Sequence, residues 1–327
     1  MIRRKIAGAE VGAVGYGAMS FSDFYGPASE ESSFAILDSC LDLGVDHIDT
    51  SNVYGMGRSE ERIGAWLKRR GGACPFHIAT KGGITRDAAG NRRFDNSHAH
   101  LTEELEKSLK RMGLEAVDLY YVHRRDPEVP IEEVAETLAA LEKSGKAKAT
   151  GYSEIAPASL RRAHAVNLVA AVQSEYSLST RQPELGLLQT CAELGVALVA
   201  FSPVGRGLLT DRPHGAEAVA KIDFLKGNPR FQEPNLSTNL ALTDRFRTLA
   251  AQWGRPAASL AIGWLLAQGE HVIPIPGTRS PAHLREAAEA LPLTPEEVAA
   301  VEAILPVGWA HGDRYNAAQW VGPERFC

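Results

Sequence analysis

The stretch Asp49-Thr50-Ser51-Asn52-Val53-Tyr54-Gly55 decides the fold: a short apolar run ends in a carboxylate, and a few residues later a phenol stands beside glycine. Taken alone it is an Asp at a strand end before a Gly-rich loop, with Tyr54 as a rim tyrosine. Two later strand-like runs end the same way. Phe76-His77-Ile78-Ala79-Thr80-Lys81 runs into Gly82-Gly83, and Val117-Asp118-Leu119-Tyr120-Tyr121-Val122-His123 runs into Arg124-Arg125-Asp126. As successive parallel strands, the three runs bring Asp49 with Tyr54, Lys81 and His123 to the C-terminal end of a barrel, where such barrels keep their chemistry.

Working outward, eight apolar runs of strand length recur, most followed by an amphipathic stretch of helix length. That is the pattern of a parallel sheet with crossover helices. The expected strands are 10–17, 47–49, 77–81, 118–123, 147–153, 170–174, 197–202 and 272–276. Helices are expected over 30–43, 59–70, 98–112, 131–143, 157–165, 184–194 and 281–291, several bounded by a cap such as Ser29 or a stop such as Gly44 or Gly113. The rhythm breaks once, between the seventh and eighth strands, where roughly seventy residues stand. The part 205–235 is rich in Gly, Pro and charge and reads as a long loop, a lid or substrate wall; 238–268 reads as two helices split at Gly254-Arg255-Pro256. Thr294-Pro295-Glu296-Glu297 opens a capped helix, and the tail carries Trp309, Tyr315 and Trp320, placed to seal the outside or fold over the mouth. The expectation is an α/β chain, a (β/α)8 TIM barrel over 1–327 as one domain.

Composition narrows the function classes. With 44% hydrophobic and 23% charged residues the chain has a globular balance, and a net charge of -5 does not suit a polyanion partner. The pairs Arg69-Arg70, Arg92-Arg93 and Arg161-Arg162 are scattered, not a nucleic-acid stripe. Cys40, Cys74, Cys191 and Cys327 show no metal-binding spacing, which fits a reduced, cytoplasmic protein. No apolar run reaches membrane-spanning length.

Asp, Tyr, Lys and His on neighbouring strands suit proton transfer to a carbonyl oxygen. A free phenol titrates near pH ~10 and so is protonated at neutral pH. A buried ammonium, Lys81, stabilises the tyrosinate that develops on Tyr54; Asp49 keeps that ammonium charged against burial. His123 offers an imidazole to orient and polarise the substrate oxygen. None of these groups carries a hydride, so a cofactor must supply one.

The runs Ile48-Asp49-Thr50 with Val53-Tyr54-Gly55, Ala79-Thr80-Lys81 and Tyr121-Val122-His123 resemble the catalytic motifs of the aldo-keto reductases, in order along nearly the whole chain. The likeness is nearest to bacterial, fungal and plant members with a Ser-Pro-x-Gly-Arg-Gly loop. It implies a TIM barrel binding NADPH across its C-terminal rim and reducing a small carbonyl compound, with Tyr54 as general acid, Lys81 and Asp49 tuning it, and His123 orienting the carbonyl. The same resemblance assigns cofactor contacts. Gly17, Ala18 and Met19 fall near the nicotinamide ribose, Ser153 and Gln173 at its carboxamide, and Phe201 in the place of a stacking ring. Ser202, Pro203, Val204, Gly205 and Gly207 form a turn whose amides approach the pyrophosphate. Gly277, Thr278 and Arg279 suit a 2′-phosphate, favouring NADPH over NADH, and His283 and Glu286 lie near the adenosine. Two positions depart from the pattern: Glu154 and Ala287 stand where relatives often carry Asn.

The same residues admit other readings. Lys81 alone reads as an ion-pair partner for Asp49 ahead of a Schiff-base lysine, and His47-x-Asp49 lacks the second ligand cluster a metal site needs. Gly15-x-Gly17-x-x-Ser20 is a weak dinucleotide fingerprint without its third Gly. Within the resembled family the barrel also serves as a cofactor-binding regulatory subunit, and alcohol oxidation is the reverse reaction. Arg124 and Arg125 are suited to acidic substrates or to plain solvation, and the pocket is expected from 21–25, Arg124, 205–235 and the tail.

Overall fold

In the computed structural model, which describes residues 1–325, the chain opens with a hairpin of β1 (Arg3–Ile6) against β2 (Ala9–Gly12). Its turn residues Ala7 and Gly8 both have positive φ, +48° and +83°, the turn whose twist matches a two-strand ribbon. This corrects the expected first strand: Glu10–Gly12 belongs to the hairpin, and the barrel strand is only β3 (Tyr16–Gly17). The apolar run from Val11 to Tyr16 crosses both without a break in pattern. Ile6 and Val11 close the bottom of the barrel, packing with Ala170, Ala171 and Ala197 at the N-terminal ends of later strands.

The parallel strands continue as β4 (His47–Asp49) and β5 (His77–Gly82). A short antiparallel hairpin, β6 (Ile84–Arg86) with β7 (Arg92–Phe94), follows. The sheet resumes with β8 (Leu119–Val122), β9 (Thr150–Ser153), β10 (Ala171–Glu175), β11 (Ala197–Phe201) and β12 (Val272–Pro274). Neighbours pair in the order β12-β11-β10-β9-β8-β5-β4-β3. The two ends then meet, because Gly15 N donates to Pro274 O and Gly17 N to Pro276 O, each at 3.0 Å. Pro274 and Pro276 have no N–H to return, so this seam is bonded from one side only. It is also tight: a Cβ on Gly17 would lie 2.8 Å from Ile275 O.

Side-chain alternation sorts every strand into two faces. Ala79, Leu119, Tyr121, Ala171, Ala197, Val199, Ile273 and Ile275 fill the barrel, whereas Ile78, Tyr120, Val122, Val172, Leu198 and Val272 pack outward against the helices. Lys81, two beyond Ala79, and Gln173, two beyond Ala171, continue the inward rows towards the mouth. The helices Glu30–Leu43, His98–Met112 and Ile131–Lys143 have the expected bounds, the first closed by a Ser29 capping box and Gly44 at φ +73°.

The insertion after β11 differs from a plain loop. It holds short helices at Ala216–Ala220 and Asp223–Lys226, then the paired helices Asn235–Gln252 and Ala257–Leu266. Leu208, Val219, Leu225, Phe231 and Leu236 give it a small apolar core of its own. The tail packs Trp309 against the outside, its Nε1 donating to Leu178 O at 2.7 Å, and then turns inward at Arg314. Cys40, Cys74 and Cys191 are free thiols; Cys327 lies outside the described residues. Among the described residues no helix is long and apolar enough to cross a membrane.

Candidate active site

Asp49 and Lys81 end the inward rows of β4 and β5, His123 follows β8, and the turn after β4 brings Tyr54 to the same point. Lys81 is fully buried. Its ammonium pairs with Asp49, donates to the Thr50 carbonyl at 2.8 Å and reaches the Tyr54 hydroxyl at 3.4 Å. Three protons therefore meet three oxygens, the phenol holding the longest bond. The other Asp49 oxygen accepts from Gln173 Nε2 at 2.7 Å. Across the site the Tyr54 and His123 rings stand edge to face, 6.0 Å between centroids and 85° between planes.

Electrostatics set the protonation states. Burial raises the Tyr54 phenol and outweighs the opposing pull of Lys81, so the hydroxyl keeps its proton at neutral pH. Burial acts to neutralise Lys81, but Asp49 and Tyr54 raise it further, and it stays cationic. Burial holds the His123 imidazole well below its usual range, and Arg124, Lys81 and Arg92 push the same way, leaving it neutral. Ser51 Oγ lies 3.0 Å from His123 Nδ1. With Ser51 as the donor, Nδ1 is the acceptor and Nε2 carries the single ring proton. Asn52 Oδ1 competes for the same hydroxyl at a longer 3.2 Å, and Asn52 is itself held by its Nδ2 donating to Glu104 at 2.7 Å. Ser51 lies inside the deciding stretch, yet its link to His123 spans two strands and has no local signal.

The residues expected to hold a dinucleotide lie around this centre. Gly17 ends β3 and Ala18 and Met19 follow it; Ser153 and Phe201 end β9 and β11, and Gln173 lies midway along β10. Ser153 Oγ accepts from an Arg124 Nη at 2.8 Å and keeps its own proton for a further acceptor, which fits a carboxamide oxygen. In the turn from Ser202 through Pro203 and Val204, the amides of Gly205 and Gly207 are taken by Ser202 O and Val204 O at 2.9 and 3.1 Å. Past β12, Gly277 and Arg279 are exposed; the Arg279 guanidinium donates to Pro27 O and Tyr25 O at 2.7 and 3.0 Å, tying down the loop after β3. Thr278 Oγ1 accepts from Ser280 N at 3.1 Å. His283 is exposed and Glu286 half-buried on Pro281–Ala288, but Ala287 faces inward among Ala13, Val14 and Ile262.

Glu154 has a different neighbourhood from the one its position suggested. Its backbone is left-handed, φ +59°, and its buried carboxylate pairs with Arg314 of the tail at 2.6 Å while accepting from Glu175 N at 2.9 Å. Glu175 in turn pairs with Arg206 at 2.5 Å, with Arg230 at 3.8 Å and Arg314 at 3.7 Å nearby. These five buried side chains join β9, β10, the insertion and the tail. Over them Arg206 and Arg314 stack on Tyr315, each about 5 Å from the ring centre (5.1 and 4.8 Å). Arg206, which the expected pyrophosphate turn contains, thus points into the protein.

The profile of the Aldo/keto reductase family matches residues 13–306. The chain is similar to the aldo-keto reductase yakc [NADP(+)] of Schizosaccharomyces pombe, 38% identical over 287 residues, covering 86% of this chain and 84% of that protein. It is also 38% identical over 323 residues to the aldo-keto reductase str7 of Strobilurus tenacellus, covering 95% and 94%. Among solved structures, the glycerol dehydrogenase AKR11B4 from Gluconobacter oxydans superposes with a TM-score of 0.81 at 30% identity, covering 93% of this chain and 94% of that one. A parallel barrel whose C-terminal end gathers Asp49, Tyr54, Lys81 and His123, matched by the family profile over most of its length, makes this chain a member of the aldo-keto reductase family of oxidoreductases.

Proposed function

We propose that this chain reduces the carbonyl of an aldehyde or ketone, with Tyr54 as the proton donor and NADPH as the reductant. The observation that carries the reading is the Lys81 ammonium lying between Asp49 and the Tyr54 hydroxyl, with the His123 ring opposite. NADPH, when bound along Ser153, Gln173, Phe201 and Arg279, supplies the hydride. As charge builds on the carbonyl oxygen, Tyr54 Oη gives up its proton and Lys81 stabilises the phenolate left behind. His123, neutral and held by Ser51, donates from Nε2 to the same oxygen and fixes its position. Asp49 keeps Lys81 charged throughout. Run in reverse, the same groups oxidise an alcohol, the direction for which the Gluconobacter oxydans relative is named.

Tyr54→Phe tests the assignment. Turnover of an aldehyde should fall by about 10²–10⁴-fold, while NADPH affinity measured by fluorescence quenching changes little. Unchanged turnover refutes the role given to Tyr54.

A further inference from the structure

A chain of net charge -5 gathers cations on one side of the barrel mouth. In the buried cluster Arg206, Arg230 and Arg314 gather around Glu154 and Glu175. Arg124, directly after His123, adds another guanidinium that is 8% exposed. One of its Nη atoms is engaged, donating to His123 O at 2.6 Å and to Ser153 Oγ at 2.8 Å. Its Nε is buried with no partner, and among the described residues no carboxylate comes within ion-pair distance of it. Arg125 is different: it is neutralised by Glu324 at 2.6 Å. Arg92, on the hairpin strand β7, also lacks an acidic partner among the described residues and stacks on Phe94 at 5.0 Å. Arg92 and Arg124 repel each other, and both act on His123.

A desolvated guanidinium is costly unless an anion completes it. Holding one Nη on Ser153 and His123 leaves the edge formed by Nε and the second Nη, two parallel donors spaced for the two oxygens of a carboxylate. We propose that this edge of Arg124 anchors a carboxylate on the substrate, with Arg92 adding attraction from the rim, so that the chain prefers aldehyde or keto acids to neutral carbonyl compounds. The inference rests on the reductase reading and names its substrate class. A carboxylate so held fixes the distance from anchor to carbonyl, since Arg124 adjoins the imidazole that orients the carbonyl oxygen. It also places the substrate acid beside Ser153, on the side expected for the nicotinamide carboxamide.

The test compares 4-formylbenzoate with its methyl ester, which differ in charge and not in the aldehyde. With NADPH, the unaltered protein should show kcat/KM about ten- to a hundredfold higher for the acid, the range of a charge-assisted hydrogen-bonded contact. Arg124→Met should bring that ratio close to one and Arg124→Lys should restore part of it; Arg92→Met should lower it by a smaller factor. Because the ratio is taken within each variant, loss of folded protein or of cofactor affinity cancels. A ratio near one in the unaltered protein overturns the inference without any variant. So does an Arg124→Met protein that keeps the full ratio while its KM for NADPH rises, which would make Arg124 a positioning residue for Ser153 alone. Turnover of neither aldehyde defeats the reductase reading itself; equal turnover of both defeats only the carboxylate anchor.

Discussion

Two buried clusters of charge sit at the C-terminal end of the barrel and are built in opposite ways. The first, Asp49 with Lys81, is balanced one to one, and its ammonium still reaches out to a third group, the Tyr54 hydroxyl, at 3.4 Å. The second, Glu154 and Glu175 with Arg206, Arg230 and Arg314, is cross-linked within itself: its members bond one another and backbone carbonyls such as Arg314 O, which accepts from Arg206 at 2.5 Å. A buried ion pair is weak evidence for stability, because desolvation offsets much of the Coulomb attraction, yet removing one partner is costly. The first cluster leaves one bond long and adjustable, which suits a proton donor; the second uses its contacts to hold the insertion and the tail over the mouth.

That contrast predicts different losses. Lys81→Met should show the largest: turnover falls by about 10²–10⁴-fold, as for Tyr54→Phe, and the stranded Asp49 destabilises the fold by about 3–5 kcal/mol, read by denaturant unfolding. A variant that keeps its turnover would remove the ammonium from the mechanism. Arg314→Met should destabilise by a similar ~3–5 kcal/mol, while turnover per folded molecule stays within a small factor. If activity instead vanished from folded protein, the second cluster would be part of the chemistry and the distinction would fail.

Smaller effects sharpen the same picture. Arg279→Ala should weaken NADPH by about ten- to a hundredfold, the worth of hydrogen bonds to a charged group, and leave NADH unchanged; equal weakening of both would show that the guanidinium serves only to hold Tyr25 and Pro27. The last effect is in acid. Burial raises the Glu154 carboxyl, but Arg314 and Arg124 outweigh it and the net shift is downward. A folded value below the unfolded one contributes stability that is complete above the unfolded value, near pH ~4.3, and is lost as pH falls through the folded value. Glu154→Gln should therefore flatten the acid limb of the stability curve, and an unchanged limb would show that Glu154 is not ionised in the folded chain.

How much of this was legible in the sequence depended on whether the signal was local. The helices Glu30–Leu43, His98–Met112 and Ile131–Lys143 carry their stops beside them, and their bounds were readable to the residue. The first strand is hidden because two strands share one apolar run, and the decisive sign is the turn at Ala7-Gly8 rather than the run itself. The hairpin of Ile84–Arg86 with Arg92–Phe94 has strands too short to show a period, and the short helices of the insertion are hidden by their Gly- and charge-rich setting. Asp49, Lys81 and His123 were legible as one group because each closes a strand-like run of sequence, and parallel strands align their ends. Ser51 on His123, Arg124 on Ser153 and Glu154 on Arg314 were not, since these contacts join positions that only the closed barrel and the returning tail bring together.

The most direct test is a crystal structure of the chain with NADP+ and a bound carbonyl compound. The carbonyl oxygen should lie within about 3.2 Å of both Tyr54 Oη and His123 Nε2, and its carbon about 3–3.5 Å from the reactive carbon of the nicotinamide. A nicotinamide ring beyond reach of Tyr54, or a carbonyl oxygen held by other donors, contradicts this placement.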